Sequence, residues 1–248
     1  MALSIGSSGR AVRYLNARLG LADPTSVYTA ATAQAVKAFQ LHNMLTPDGV
    51  YGPQTNAAAV RRPADALAQL AASLGCEEAA IGAVVRVETN GGGFLDDGRP
   101  KILLERHYVW RLAGPTLRPK FASRPDLCNP QTGGYLGGAR EWDRYEDVVR
   151  ITGGEALAAQ CVSWGLPQIM GANYAACGYP SVLTMATAMA LDEMAQLRAL
   201  QGFIRSSPVL LSALRNKDWH SFAVHYNGPA QKGYDERLAA AYNSLKSS

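Results

Sequence analysis

Glu88 is the residue of this chain whose setting most directly implies chemistry. Ile81, Val84, Val85 and Glu88 follow the i, i+3, i+4, i+7 spacing of one helix face, so a carboxyl occupies a position that the pattern reserves for the core. Burying a carboxylate is costly, and such a group tends to hold its proton instead. A carboxylic acid still protonated near neutral pH is what general-acid cleavage of a glycosidic bond requires. The glycines Gly91, Gly92 and Gly93 follow and open backbone room beside it. The competing reading is a helix-end Glu that frays into solvent or pairs with an arginine.

Two further segments carry polar groups of the right kind. Ser163-Trp164-Gly165-Leu166-Pro167-Gln168-Ile169-Met170-Gly171 is a compact polar–apolar loop with Ser163 and Gln168 as candidate substrate contacts. An amide such as Gln168 donates and accepts at once, which suits an N-acetyl group or a water. Trp219, Phe222, Ala223 and Tyr226 share a helix face that stops at Asn227-Gly228-Pro229, placing Tyr226 and Asn227 at a helix end. Taken singly, Tyr226 reads equally as core, Asn227 as cap and Gln168 as loop bracing. A second carboxylate is sought at about 5–5.5 Å for a retaining glycosidase and roughly 6.5–9.5 Å for an inverting one. Asp96 and Asp97 are nearest in sequence, and either reads equally as a turn residue before Gly98. Glu105 is read as structural, paired with Arg99 or Arg106.

Other chemistries find no support. The four histidines form no HExxH, and neither GxSxG nor a phosphate loop occurs. The four cysteines are scattered without a CxxC pair, which argues against a zinc ribbon or a disulfide scaffold and points to a reducing compartment. No cofactor and no metal are expected.

The elements that must position these groups fall into two modules. The chain has 248 residues, 48% apolar and 18% charged, enough to bury a core. Arg61-Arg62-Pro63 marks a boundary, since proline stops a preceding helix and can open the next. Residues 1–62 carry six Lys or Arg against two acids, whereas residues 63–248 are neutral. A small cationic module beside a neutral larger one suggests an anionic target. No basic run supports nucleic acid. No apolar stretch of signal-peptide or membrane-spanning length appears, so stable membrane insertion is not expected.

The first module reads as three helices. Ser7 or Ser8 caps one holding Val12, Leu15 and Leu19. Thr29 or Thr32 starts a second with Val36 and Phe39, and Gln54 to Val60 forms a third after the turn-rich Pro47-Asp48-Gly49-Val50-Tyr51-Gly52. The second module is mainly α. Helices are expected over 63–74, 77–89, 183–204, 209–216, 219–226 and 234–245. Asn90–Gly93 and Thr132–Gly138 read as flexible or hairpin loops, and Asp126–Leu136 as a place for a short β element.

Two resemblances follow. Gly6-x-x-Gly9-x-x-Val12-x-x-Leu15, Ala35-Val36-Lys37-Ala38-Phe39-Gln40 and Asp48-Gly49-Val50-Tyr51-Gly52-Pro53-x-Thr55 resemble the peptidoglycan-binding domain of bacterial and phage cell-wall hydrolases. Ser26-Val27-Tyr28-Thr29 departs from the family's earlier Asp-Gly turn. The likeness implies Arg13, Gln40, Asp48 and Tyr51 as wall contacts. Glu88-Thr89, Gly165-Leu166-Pro167-Gln168 and Tyr226-Asn227-Gly228 resemble, in order, the E-S, G-L-M-Q and Y-N-A-G motifs of the lysozyme-like superfamily. Val87 to His107 and Ser163 to Gly171 look most like the N-acetylmuramidases of modular phage endolysins.

These likenesses imply a helical lysozyme-like domain over 63–248 behind a three-helix binder over 1–62. Its expected reaction is hydrolysis of the β-1,4 bond between N-acetylmuramic acid and N-acetylglucosamine, with Glu88 as general acid and Gln168, Tyr226 and Asn227 lining the cleft. The rivals are a lytic transglycosylase using the same acid, against which Pro167 in place of the motif's Met argues modestly, and a non-catalytic wall-binding or virion structural protein. The expected partner is the peptidoglycan glycan strand, met by a monomer. The enzyme is expected to accumulate in the host cytoplasm until the inner membrane opens.

Overall fold

A computed structural model describes residues 2–22, 25–88, 92–229 and 232–247. The first module is built from α1 (Arg10–Arg18), α2 (Ala30–His42) and α3 (Pro53–Val60). Helix α1 starts at Gly9 with no side-chain cap, rather than at Ser7 or Ser8. Helix α2 has the capping box Thr29/Thr32. Leu3, Val12, Leu15, Tyr28, Val36 and Tyr51 close a small core of their own.

The larger module begins with α4 (Ala66–Leu74) and α5 (Glu78–Glu88), followed by β1 (Ile102–Leu104), α6 (Arg106–Leu117), α7 (Ala139–Thr152) and α8 (Glu155–Gln160). It continues through β2 (Val162–Trp164), β3 (Ile169–Met170), α9 (Val182–Met189), α10 (Glu193–Ser206), α11 (Pro208–Asn216), α12 (Trp219–Asn227) and α13 (Tyr234–Lys246). Helix α13 lies along α5, and α4 and α11 also pack against α5. The apolar stripe of α5 is buried as its spacing requires, with Ile81 and Val84 fully enclosed. Each such side chain contributes about 1.5–3 kcal/mol.

Three expectations need correction. The single helix expected over 183–204 is broken, because Asp192 accepts the Ala195 amide at 2.7 Å and caps a new helix, α10. The β element is not at Asp126–Leu136, where no strand forms. It lies at β1–β2–β3, an antiparallel sheet with Ile102 opposite Trp164 and Trp164 opposite Ile169. The region between residues 89 and 183, for which only loops and one short β element are expected, also holds α6, α7 and α8. Of the Asn90–Gly93 loop, Asn90 and Gly91 lie outside the described residues, as does Thr89.

The two modules are in contact. Helix α1 turns Val12 and Leu15 into its own core and Tyr14 into the larger one, where the Tyr14 ring meets Trp142 edge-on at 5.9 Å. Arg10 pairs with Glu146 at 2.6 Å and also with Glu155, and Arg13 pairs with Glu155 at 3.0 Å. Arg18 donates to Gly98 O at 2.9 Å and to Leu191 O at 2.6 Å, while Asn56 donates to Leu95 O at 3.2 Å. All four thiols are unpaired, and burial pushes that of Cys177 up to about 12, a structural rather than reactive setting.

Candidate active site

Glu88 is the last residue of α5, half-buried above the stripe formed by Ile81, Val84 and Val85. Burial pushes its carboxyl above the ordinary range. The Tyr234 hydroxyl, which donates to Oε1, and the more distant Arg237 charge pull the other way and are outweighed. The C-terminal end of a helix also disfavours negative charge, so the backbone acts in the same sense as burial. Tyr234 reaches Glu88 because it opens α13, which runs along α5.

The carboxyl faces a cavity of about 340 Å³ that Leu95, Lys101, Ile102, Leu103, Leu166 and Gln168 also line, with Gly92, Gly138 and Gly165. The sheet delivers this wall. Gly165-Leu166-Pro167-Gln168 is the turn joining β2 to β3. Gln168 sits in the left-handed region at φ 46, a conformation that a non-glycine residue holds only when its surroundings impose it. Its amide Nε2 donates to Gly165 O at 2.6 Å, and its Oε1 accepts from the Ser163 hydroxyl at 2.8 Å. One N–H and one lone pair of the amide are left over for a ligand. Gln168 therefore braces its loop and lines the cavity at once.

Ser163 and Tyr226 do not line the cavity. Ser163 is buried and orients Gln168. Tyr226 donates to Pro167 O at 3.3 Å, and its ring lies parallel to that of Tyr234 at 6.2 Å, so it stands behind both the turn and the partner of Glu88. Asn227 is exposed at the end of α12 and is not on the cavity wall.

The second-carboxylate candidates lie away from the Glu88 cavity. Asp97 accepts from the Arg99 side chain at 2.7 and 2.9 Å and from its amide at 3.0 Å. It lines a different cavity, between the modules, with Arg10 and Glu146. Asp96 is exposed in the same turn, which closes through Gly98 N to Leu95 O at 3.0 Å. Turn formation took both residues. Among the described residues lining the Glu88 cavity, Glu88 is the only acid. Glu105 has partners other than Arg99 or Arg106: it accepts from the Tyr135 hydroxyl at 2.8 Å and lies 3.3 Å from His107 Nδ1.

The wall contacts assigned to the first module are mostly internal. Gln40 is buried, donating to Asp48 Oδ1 at 2.8 Å and Val50 O at 3.0 Å and accepting from Gly49 N. Tyr51 is buried, with its hydroxyl between Arg18 and Asn56. Arg13 faces Glu155 of the other module. Asp48 alone is exposed, with the Val50 amide and then the Gln40 amide holding its carboxyl below the usual range. A motif that shapes a turn fills it with internal hydrogen bonds, and three of these four residues are framework.

Sequence reasoning missed Tyr234, Lys101 and Gln196. Gln196 is wholly buried. It accepts from Leu166 N at 2.7 Å and donates to Met189 O at 2.9 Å and Gly93 O at 3.3 Å, tying three segments around the cavity. Its signal was of the kind that exposed Glu88, a polar residue on the apolar face that Leu197, Leu200 and Ile204 complete. Tyr234 carried no such signal.

The N-acetylmuramidase family model matches residues 77–246, which include Glu88 and every residue of the cavity wall. The chain belongs to the N-acetylmuramidase family. A peptidoglycan-binding domain family matches residues 10–59 ahead of the muramidase. The solved structure of the Burkholderia AP3 phage endolysin is similar at 38% identity over 100% of each chain, with a TM-score of 0.68. No curated protein matches. The muramidase is thus a glycoside hydrolase whose substrate is peptidoglycan, in the modular order of an endolysin.

Proposed function

We propose that the muramidase hydrolyses the β-1,4 bond between N-acetylmuramic acid and N-acetylglucosamine, with Glu88 as general acid. The observation that carries this is the Glu88 carboxyl, the one acid among the described lining residues and biased by burial toward its protonated form, on a cavity that also presents the Gln168 amide. Glu88 gives its proton to the glycosidic oxygen as the bond breaks and positive charge develops on the sugar ring. The carboxylate left behind stabilises that oxocarbenium-like state. Water then attacks the sugar carbon and gives its proton to the Glu88 carboxylate, which restores the acid, while the free N–H and lone pair of Gln168 orient an N-acetyl group or that water. Tyr234 holds the carboxyl in place and receives its developing charge as a hydrogen-bond donor.

Mass spectrometry of the soluble products from purified peptidoglycan tests this. Reducing N-acetylmuramic ends are expected from the native chain and none from Glu88→Gln. Reducing N-acetylglucosamine ends would overturn the bond assignment, and equal release by both proteins would overturn Glu88. A lytic transglycosylase has one observation in its favour, the absence of a second acid among the described lining residues. There Glu88 would return as base while the sugar's 6-hydroxyl attacks, leaving anhydro ends lighter by one water.

In the same proposal the chain divides near residue 62, acts as a monomer and lyses its host. The binding module raises the local enzyme concentration on an insoluble polymer. Accumulation in the host cytoplasm until the inner membrane opens is checked by fractionating infected cells before lysis.

A further inference from the structure

Three arginines of the first module, Arg10, Arg13 and Arg18, are engaged with the second module. Arg61 and Arg62 are not: among the described residues neither guanidinium has a hydrogen-bond or ion-pair partner. Arg61 is exposed and Arg62 is half-buried. Both lie in the segment between α3 and α4, which leaves α3 in an extended conformation at Arg61.

They line a cavity of about 470 Å³ with Pro63, Glu193, Gly92 and Leu166. Gly92 and Leu166 also line the Glu88 cavity. The two hollows therefore adjoin at Gly92 and Leu166. Glu193 is the acid on this wall, and its Oε1 accepts from Gly93 N at 2.9 Å, so it faces backbone and makes no ion pair with either arginine.

We propose that Arg61 and Arg62 form an accessory subsite of the catalytic cleft for the carboxylates of the peptide stems borne on N-acetylmuramic acid. The inference rests on peptidoglycan being the strand in the Glu88 cavity. The peptide stems borne on muramic residues are acidic, so a strand seated at Glu88 brings carboxylates near the adjoining hollow. Guanidinium groups bind carboxylates through parallel N–H donors. Here they discriminate stem-bearing from bare glycan.

The test compares soluble peptidoglycan strands with the same strands stripped of their peptides by an amidase. Binding is measured by calorimetry in the Glu88→Gln chain, so that no cleavage occurs, with and without Arg61→Gln and Arg62→Gln. Affinity for stem-bearing strands is expected to fall roughly fivefold to tenfold, that for bare strands to stay level, and the difference to shrink with added salt. With Glu88 intact, the same pair of substitutions is expected to raise KM on stem-bearing strands and leave kcat unmoved.

An equal loss on both strands, or no loss on either, overturns the subsite. A loss of binding without a change in KM also overturns it, since it would move the arginines away from the cleft. Failure of the muramidase reading shows up separately, as cleavage that survives Glu88→Gln.

Discussion

At the scale of single residues, the chemistry turns on how firmly Glu88 keeps its proton. Because burial raises its carboxyl in the folded chain, ionising it works against folding. The contribution of Glu88 to stability is therefore complete below the ordinary carboxylate pKa and is lost as pH rises through the raised folded value. Glu88→Gln retains an acceptor for Tyr234 and cannot ionise. Its melting temperature is expected to exceed that of the native chain at neutral pH, the two converging below pH ~4. Activity is expected to fall by about 10²–10⁴-fold. Tyr234→Phe removes the donor that favours the ionised form, so the carboxyl should rise further. The alkaline limb of the pH–activity profile should then move to higher pH, and a limb moving to lower pH would refute Tyr234 as the tuning partner.

At the scale of elements, the cavity is a meeting of three turns. The loop after α5, the β2–β3 turn and the α9–α10 turn converge on Gln196. A Cβ on Gly165 would lie 2.5 Å from the Gln196 carboxamide, at a φ of 64. Gly165→Ala is expected to destabilise the chain by about 1–3 kcal/mol through clash and a strained backbone, read as a lower urea midpoint at an unchanged slope. The loop that supplies Leu95 and Lys101 is held from the other module by Arg18 on Gly98 O and Asn56 on Leu95 O. Arg18→Ala is therefore expected to lower kcat on soluble glycan strands severalfold while sparing retention on insoluble peptidoglycan.

Over the whole molecule, the first module is docked rather than loosely tethered. Tyr14 is shared with the larger core, and Arg10, Arg13, Glu146 and Glu155 form a partly buried ion cluster. Calorimetry is expected to show one cooperative transition at neutral pH instead of two. Burial alone would push the Glu155 carboxyl up, but Arg10 and Arg13 hold it below its ordinary value. Its contribution is present above the ordinary carboxylate pKa and lost as pH falls through the lowered folded value. The transition should accordingly split or broaden in acid, and Arg10→Ala should produce the same splitting at neutral pH. Two transitions in the native chain at pH 7 would contradict the docked arrangement.

How much of this was legible beforehand depends on whether the cause was local. Helix spacing marked the buried face of α5 and its misplaced carboxyl, Thr29 marked the start of α2, and the two motif sets marked the two families. All of these are written within a turn or two of backbone, where side-chain period and capping chemistry act directly. The break between α9 and α10 was also local, in Asp192, but an unbroken apolar run masked it. What the sequence could not decide was which polar groups would face the cavity and which would be consumed by their neighbours. Gln40, Tyr51 and Asp97 carry functional residue types, and each is tied up by partners that the chain's own turns bring to it. Tyr234 lies 146 positions from Glu88 and meets it only because α13 packs along α5. Hydrogen bonds across such distances are set by the packing of whole helices, which tertiary structure alone decides.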